Sequence, residues 1–168
     1  DREDVTYFIA HPCHPPLFEE SRSEEHAEDW FGGQGMAEQD IVCALHQGPE
    51  EDYARGEELV QAIYAPVRRS HRLTTEQMAL LEPALVETLA ATLLDTIHEG
   101  TETVVDRGVP EQAARDFLMG HLRIEIAIIF GLAGFPFSDA AQRKVEEAKG
   151  EILQDDWKEV LTVERTKE

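Results

Sequence analysis

The segment from Tyr7 to Phe18, YFIAHPCHPPLF, sets two imidazoles, His11 and His14, three residues apart with Cys13 between them. Prolines at 12, 15 and 16 fix the backbone φ there and lower the entropy lost in holding those imidazoles still. Imidazole combined with carboxylate suits Zn²⁺ or a similar divalent ion. A matching carboxylate is Glu82 in LLEPALVET, which at 100° per residue shares a helical face with Met78, Leu85, Val86, Leu89 and Leu93. A charge within an apolar stripe is costly unless it is paired, protonated or bound to a metal. An arginine from elsewhere would satisfy it equally well.

Further candidates lie downstream. Glu87 belongs to a second stripe with Leu80, Ala84, Ala91, Leu94 and His98, which makes the helix apolar on two faces. His121 and Glu125 are spaced i, i+4 on a face with Phe117, Leu118, Ile124 and Ile128. They are expected as a buried pair, either mutually hydrogen-bonded or bound to a divalent metal. His46 and Gln47 end a second apolar run and are placed at the crevice of His11 and His14. His26, His71 and His98 have no such context and read as surface or packing residues.

Which elements position these groups follows from pattern. Val5 to Ala10 is a short apolar strand closed by Pro12. The stretch from Phe18 to Gln39 is polar, acidic and contains FGGQG, so it is read as a loop. Asp40 to Gly48 is a second strand ended by Gly48-Pro49, a strong turn signal. Pro49 to Ala65 carries proline and acids in its first turn and apolar residues at helical spacing. PVRRSHRLT supplies a third strand. Strand, helix and strand in this length make a βαβ unit with parallel pairing and a right-handed crossover. Ligands bind beyond the carboxyl ends of such strands, so HPCHPP and HQG are expected at one edge of the sheet. From Thr75 the pattern turns helical: one long helix to Gly108, capped by Thr74 or Thr75 and kinked or restarted at Pro83; a second from Val109 to Gly131 or Gly134; a third capped by Ser138. The tail after Asp155 is a surface segment anchored by Trp157.

Bulk properties narrow the function. Fifteen basic against 35 acidic residues give a formal charge of −20, which repels phosphate backbones and anionic membranes. With 42% hydrophobic residues the chain is globular rather than disordered. Two cysteines give no disulfide framework, and a cytoplasmic setting is expected. The opening at Asp1, shortly before a strand, is how a piece of a longer polypeptide would begin. GGQG does not extend to G-x-G-x-x-G, and no P-loop, nucleophile elbow or C-x-x-C occurs.

FIAHPCHPPLF, DIVCALHQGPEEDYARGEELVQAIYAPVRRSHRLTTEQMALLEPALVET and GHLRIEIAIIFG together resemble the carboxy-terminal part of phosphogluconate-dehydrogenase-like NAD-binding oxidoreductases, and within them the D-apionate oxidoisomerases. The resemblance implies α/β followed by all-α: residues 1–74 as the end of a Rossmann-type parallel sheet, and 75–168 as a helical domain for substrate and dimerisation. It implies NAD, a divalent metal (zinc foremost) and a small branched sugar acid as substrate. On the matching motif positions it implies His14 and Glu82 at the metal and His11 at the cofactor. Glu82, Glu87, His121 and Glu125 are then the acid–base candidates. A different class of function fits the same helices: a dimerisation module, most simply a homodimer, whose polar residues merely satisfy one another.

Overall fold

The computed structural model describes residues 2–18, 30, 31 and 37–167. FGGQG beyond Phe31, His26 and most of the expected acidic loop lie outside those residues. The chain divides into two compact units, Asp1–Glu82 and Pro83–Glu168.

The first unit is a three-stranded sheet of order β1-β2-β3, with β1 at Tyr7–Pro12, β2 at Gln39–Gln47 and β3 at Val67–Arg72. Helix α1, Asp52–Ile63, joins β2 to β3, which pair in parallel as expected of a βαβ unit. Its approach to the sheet depends on two glycines. Gly48 has φ +125°, and a Cβ there would lie 2.6 Å from Thr6 Oγ1. A Cβ on Gly56 would lie 2.5 Å from the Phe8 ring, so only glycine lets α1 come this close to β1. The Thr6 hydroxyl donates to the Asp52 carboxylate in the first turn of α1. Beneath α1 lies the core: Ile41, Cys43, Tyr53 and Val60, with Phe8, Ala10, Leu45, Tyr64 and Val67 packed around it. Phe8 meets Tyr53 edge-on at 5.3 Å between ring centres, a favourable quadrupolar arrangement.

One expectation fails here. β1 runs antiparallel to β2, with Tyr7 opposite Gln47 and Pro12 opposite Ile41. The carboxyl ends of the two strands therefore lie at opposite ends of the sheet, and HPCHPP and HQG do not share an edge. A parallel β1–β2 pair would need a crossover connection, and the polar stretch between those strands shows no helical period.

Helical winding then runs unbroken from Thr75 to Asp106. It opens with α2, Thr75–Ala79, under a full capping box: Thr74 Oγ1 accepts from the Gln77 amide, and Gln77 Oε1 accepts from the Thr74 amide. From Leu80 to Ala91 the winding is π, and α3 follows at Thr92–Asp106. Pro83 sits inside the π segment and has no N–H for an i→i−4 bond, and wider winding accommodates that gap. The expected kink is thus a change of winding. Thr88 Oγ1 donates to the Pro83 carbonyl, five residues back, at 2.6 Å.

In the second unit α3 packs on α4, Glu111–Ile129. Helix α5, Asp139–Ile152, is capped by Ser138, which accepts from the Ala141 amide at 3.3 Å. The tail ends in short 3₁₀ turns, with Trp157 half-buried. Among the described residues, no helix is long and apolar enough to cross a membrane.

Candidate functional site

His11 ends β1, and its Nδ1 lies 2.7 Å from the Pro12 carbonyl oxygen. A carbonyl only accepts, so Nδ1 carries a proton and Nε2 is the nitrogen left to face other groups. That Nε2 is 3.8 Å from Glu82 Oε1, with both side chains a little over a third exposed. His14 repeats the pattern: its Nδ1 donates to the Phe31 carbonyl at 3.1 Å, again freeing Nε2. The two imidazoles meet edge-on at 5.7 Å between ring centres, and the Phe31 ring stands against His14 at 5.6 Å. His14 takes φ +60°, a left-handed conformation that costs a side-chain-bearing residue energy and is held here by the proline-rich loop.

Glu82 reaches His11 because the helix begins at the far end of the sheet. The Leu73 amide donates to the Cys43 carbonyl, and His46 Nδ1 lies 3.3 Å from Thr75 Oγ1. From there the helix returns along β2 to the His11 end. His46 is thereby committed to the start of α2. Gln47 donates to the Arg2 and Val5 carbonyls at 2.8 and 2.7 Å. Both are removed from the site for which they were candidates.

Cys13 donates its amide to the Asp40 carbonyl at 2.8 Å, which docks the histidine loop on β2. Its thiol is pushed up, first by desolvation and then by the neighbouring Asp40 carboxylate, and the residue is exposed. Asp40 itself is held below the usual carboxylate range, first by its hydrogen bonds from Arg68. Among the described residues, no group of three or more His, Cys, Asp or Glu is arranged to hold a metal. At this end of the sheet His11 meets Glu82, and the His14 ring stands edge-on to His11.

The other candidates belong to the second unit. His121 is exposed rather than buried: its Nδ1 donates to the Phe117 carbonyl at 2.8 Å and its ring stacks on Phe117 at 4.0 Å. With Glu125 it lines a groove of about 580 Å³ whose other walls include Ile97, Val104, Val109 and Phe117. The expected buried His–Glu pair is absent because the neighbouring Phe117 carbonyl takes the imidazole proton first. The Glu87 side chain is exposed and, among the described residues, makes no hydrogen bond or ion pair. Sequence reasoning missed the Pro12 and Phe31 carbonyls, which set both imidazole tautomers; a main-chain acceptor leaves no mark in residue type.

Residues 19–168 match the family described as phosphogluconate dehydrogenase (decarboxylating) C-term. The chain belongs to this family. A D-apionate oxidoisomerase of Cupriavidus necator is 50% identical over 168 residues, all of this chain and 60% of that protein. Another, from Rhizobium rhizogenes, is 50% identical over 160 residues, 95% of this chain and 58% of that protein. The solved structure of a semialdehyde dehydrogenase NAD-binding protein from Cupriavidus necator, in complex with calcium and NAD, superposes with a TM-score of 0.94 at 50% identity. That match covers 99% of this chain and 60% of the other. This member of the family thus spans about three-fifths of the length of the relatives it matches.

Proposed function

We propose that this chain is the substrate- and metal-binding portion of an NAD-dependent oxidoisomerase acting on a small branched sugar acid such as D-apionate. The carrying observation is the pair of imidazoles whose Nδ1 protons are both tied to main-chain carbonyls, leaving Nε2 of His11 beside Glu82 and Nε2 of His14 free. Metal-ligating histidines are held in this way, since the second hydrogen bond fixes ring orientation and tautomer. His14, His11 and Glu82 are the candidate ligands, although they are not preassembled in ligand geometry; His11 then reads better as a ligand than as a cofactor contact. Zinc fits two imidazoles and a carboxylate, and the calcium of the neighbouring structure makes a harder ion the rival. When bound, the metal supplies polarisation of a substrate carbonyl flanked by oxygen donors.

NAD belongs to the same reading, through the relatives' names. These 168 residues contain no G-x-G-x-x-G, so the nucleotide phosphates would be held by protein outside them. The β2–α1–β3 unit is then the end of a Rossmann-type sheet, with residues 1–74 in the nucleotide-binding domain, 75–168 in the helical one, and a cytoplasmic setting. His121, Glu125 and Glu87 are retained as acid–base candidates on the helical part.

Titration calorimetry with Zn²⁺, Mn²⁺ and Ca²⁺ tests the site. Wild type is expected to bind one ion, and His14→Ala and Glu82→Gln to bind it at least about tenfold more weakly, as loss of a ligand or its support costs tenfold or more. Equal affinity in both variants would remove the site. A second reading has its own observation: the helices of Pro83–Glu168 expose Leu94, Phe117, Met119, Ile124, Ile129 and Phe130. Exposed apolar side chains in this number call for a covering surface, and a homodimer through these helices is proposed alongside the enzymatic role.

A further inference from the structure

The sheet has a second face, and its composition is unlike the rest of the chain. Side chains alternate across a strand. Ile41 and Cys43 enter the core under α1, so Asp40, Val42 and Ala44 point the other way. Register carries this alternation across all three strands: His11 lies opposite Val42, Val42 opposite His71, and Asp40 opposite Arg69. His11, Val42 and His71 therefore form one row on the face away from α1, with Asp40 and Arg69 in the adjoining row. Ser70 and Arg72 belong to the α1 side, as the Ser70–Cys43 contact and the seat of Arg72 over the Tyr53 ring show.

Around Asp40 on that face two guanidinium groups stand against one carboxylate. Both Asp40 oxygens accept from Arg68, each at 2.9 Å, a bidentate pair that satisfies the carboxylate. Arg69 Nε and His71 Nε2 stand further off, at 3.6 and 3.9 Å, with side chains 62% and 48% exposed. One carboxylate thus faces two guanidinium groups and an imidazole, within a chain whose formal charge is −20. Charges on an outer strand also discourage edge-to-edge association. That role, however, requires no shared row with His11.

We propose that Arg69, with His71 beside it, binds the carboxylate of the substrate acid whose oxygens engage the His11, His14 and Glu82 end of the same face. The proposal rests on the functional reading above and adds what that reading lacks, a cation for the acid group. Two strand spacings put the His11 and His71 backbones roughly 10 Å apart. A five-carbon acid extends about 6 Å from bond lengths of about 1.5 Å, and the side chains on either flank span the remainder. Guanidinium is suited to this task by its planar fork of donors, and Arg69 is the guanidinium that Asp40 does not already hold in a bidentate pair.

The test is calorimetric titration of the purified Zn²⁺-loaded protein with D-apionate and with the uncharged parent sugar, comparing wild type, Arg69→Gln, Arg69→Lys and His71→Gln. Wild type is expected to prefer the acid. Arg69→Gln should lose about tenfold or more in affinity for the acid, the size of a charge-assisted hydrogen bond, while keeping its affinity for the sugar and for Zn²⁺. Arg69→Lys should recover part of that loss, and His71→Gln should lose less. Wild-type affinity for the acid in Arg69→Gln would overturn the carboxylate site and leave edge protection as the role of the charge. Absence of acid binding by wild type, with Zn²⁺ bound, would overturn the functional reading and this inference together.

Discussion

The two units solve the burial problem differently. In Asp1–Glu82 a sheet and one helix enclose Ile41 and Cys43 at 0% exposure, with Tyr53 and Val60 at 8%. In Pro83–Glu168 the apolar residues buried to that degree are Ala84 and Ala114, while Phe117, Ile129, Phe130 and Ile152 are each exposed by more than 60%. Burial of apolar area contributes about 25 cal/mol per Å², so the first unit carries its own stabilising core. The second displays side chains whose stabilisation requires another surface. Paired helices apolar on more than one face need partners on more than one side.

Three variants sharpen that contrast. The largest effect is expected for Ile41→Ala, which empties a fully buried position beneath α1. Urea unfolding followed by circular dichroism should show a loss of about 4 kcal/mol, the transfer and cavity terms acting together. A loss under about 1 kcal/mol would mean that the sheet unit is not the better-packed half. Next comes Ile129→Lys at the end of α4, where the side chain is 65% exposed. Light scattering after size exclusion should show the proposed homodimer dissociating about 30-fold more readily, as for an interface anchor worth about 2 kcal/mol. Stability of the separated chain should hardly move. An unchanged oligomer would place the interface elsewhere.

The smallest effect concerns Asp40. Arg68 lowers its folded-state pKa, so its contribution is present above the unfolded-state value near 3.9 and is lost as pH falls through the lower folded one. Melting temperatures of wild type and Asp40→Asn should therefore differ most at pH 6 and converge towards pH 2, by no more than about 1 kcal/mol at a partly solvated pair. A constant gap across that range would mean that the Arg68–Asp40 pair does not carry the difference.

Much of the first unit was legible in residue order. The apolar run into Gly48-Pro49, the amphipathic helix and PVRRSHRLT specify a parallel β2–β3 pair through the crossover that parallel strands require. The direction of β1 was not read, though the polar connection without helical period already argued for an antiparallel partner. The π winding was hidden because LLEPALVETLAA is apolar at nearly every position, so a 3.6-residue and a wider period fit it alike. Pro83 was its only mark. Of the candidate site, residue type and strand-end placement mark His11 and His14, and the apolar stripe marks Glu82; the structure sets Glu82 and the edge of the His14 ring against His11. His71 reads as a surface residue in the sequence, since its relation to His11 exists only through register across a third strand.

The left-handed backbone at His14 has a practical consequence for anyone engineering this protein. Glycine adopts that conformation without the roughly 1 kcal/mol penalty an ordinary side chain meets. A library ranked by heat resistance alone would therefore enrich glycine at position 14 and discard the imidazole with it. Screens on this scaffold should score the proposed ion site together with thermal tolerance, or they will reward variants with a calmer loop and no imidazole.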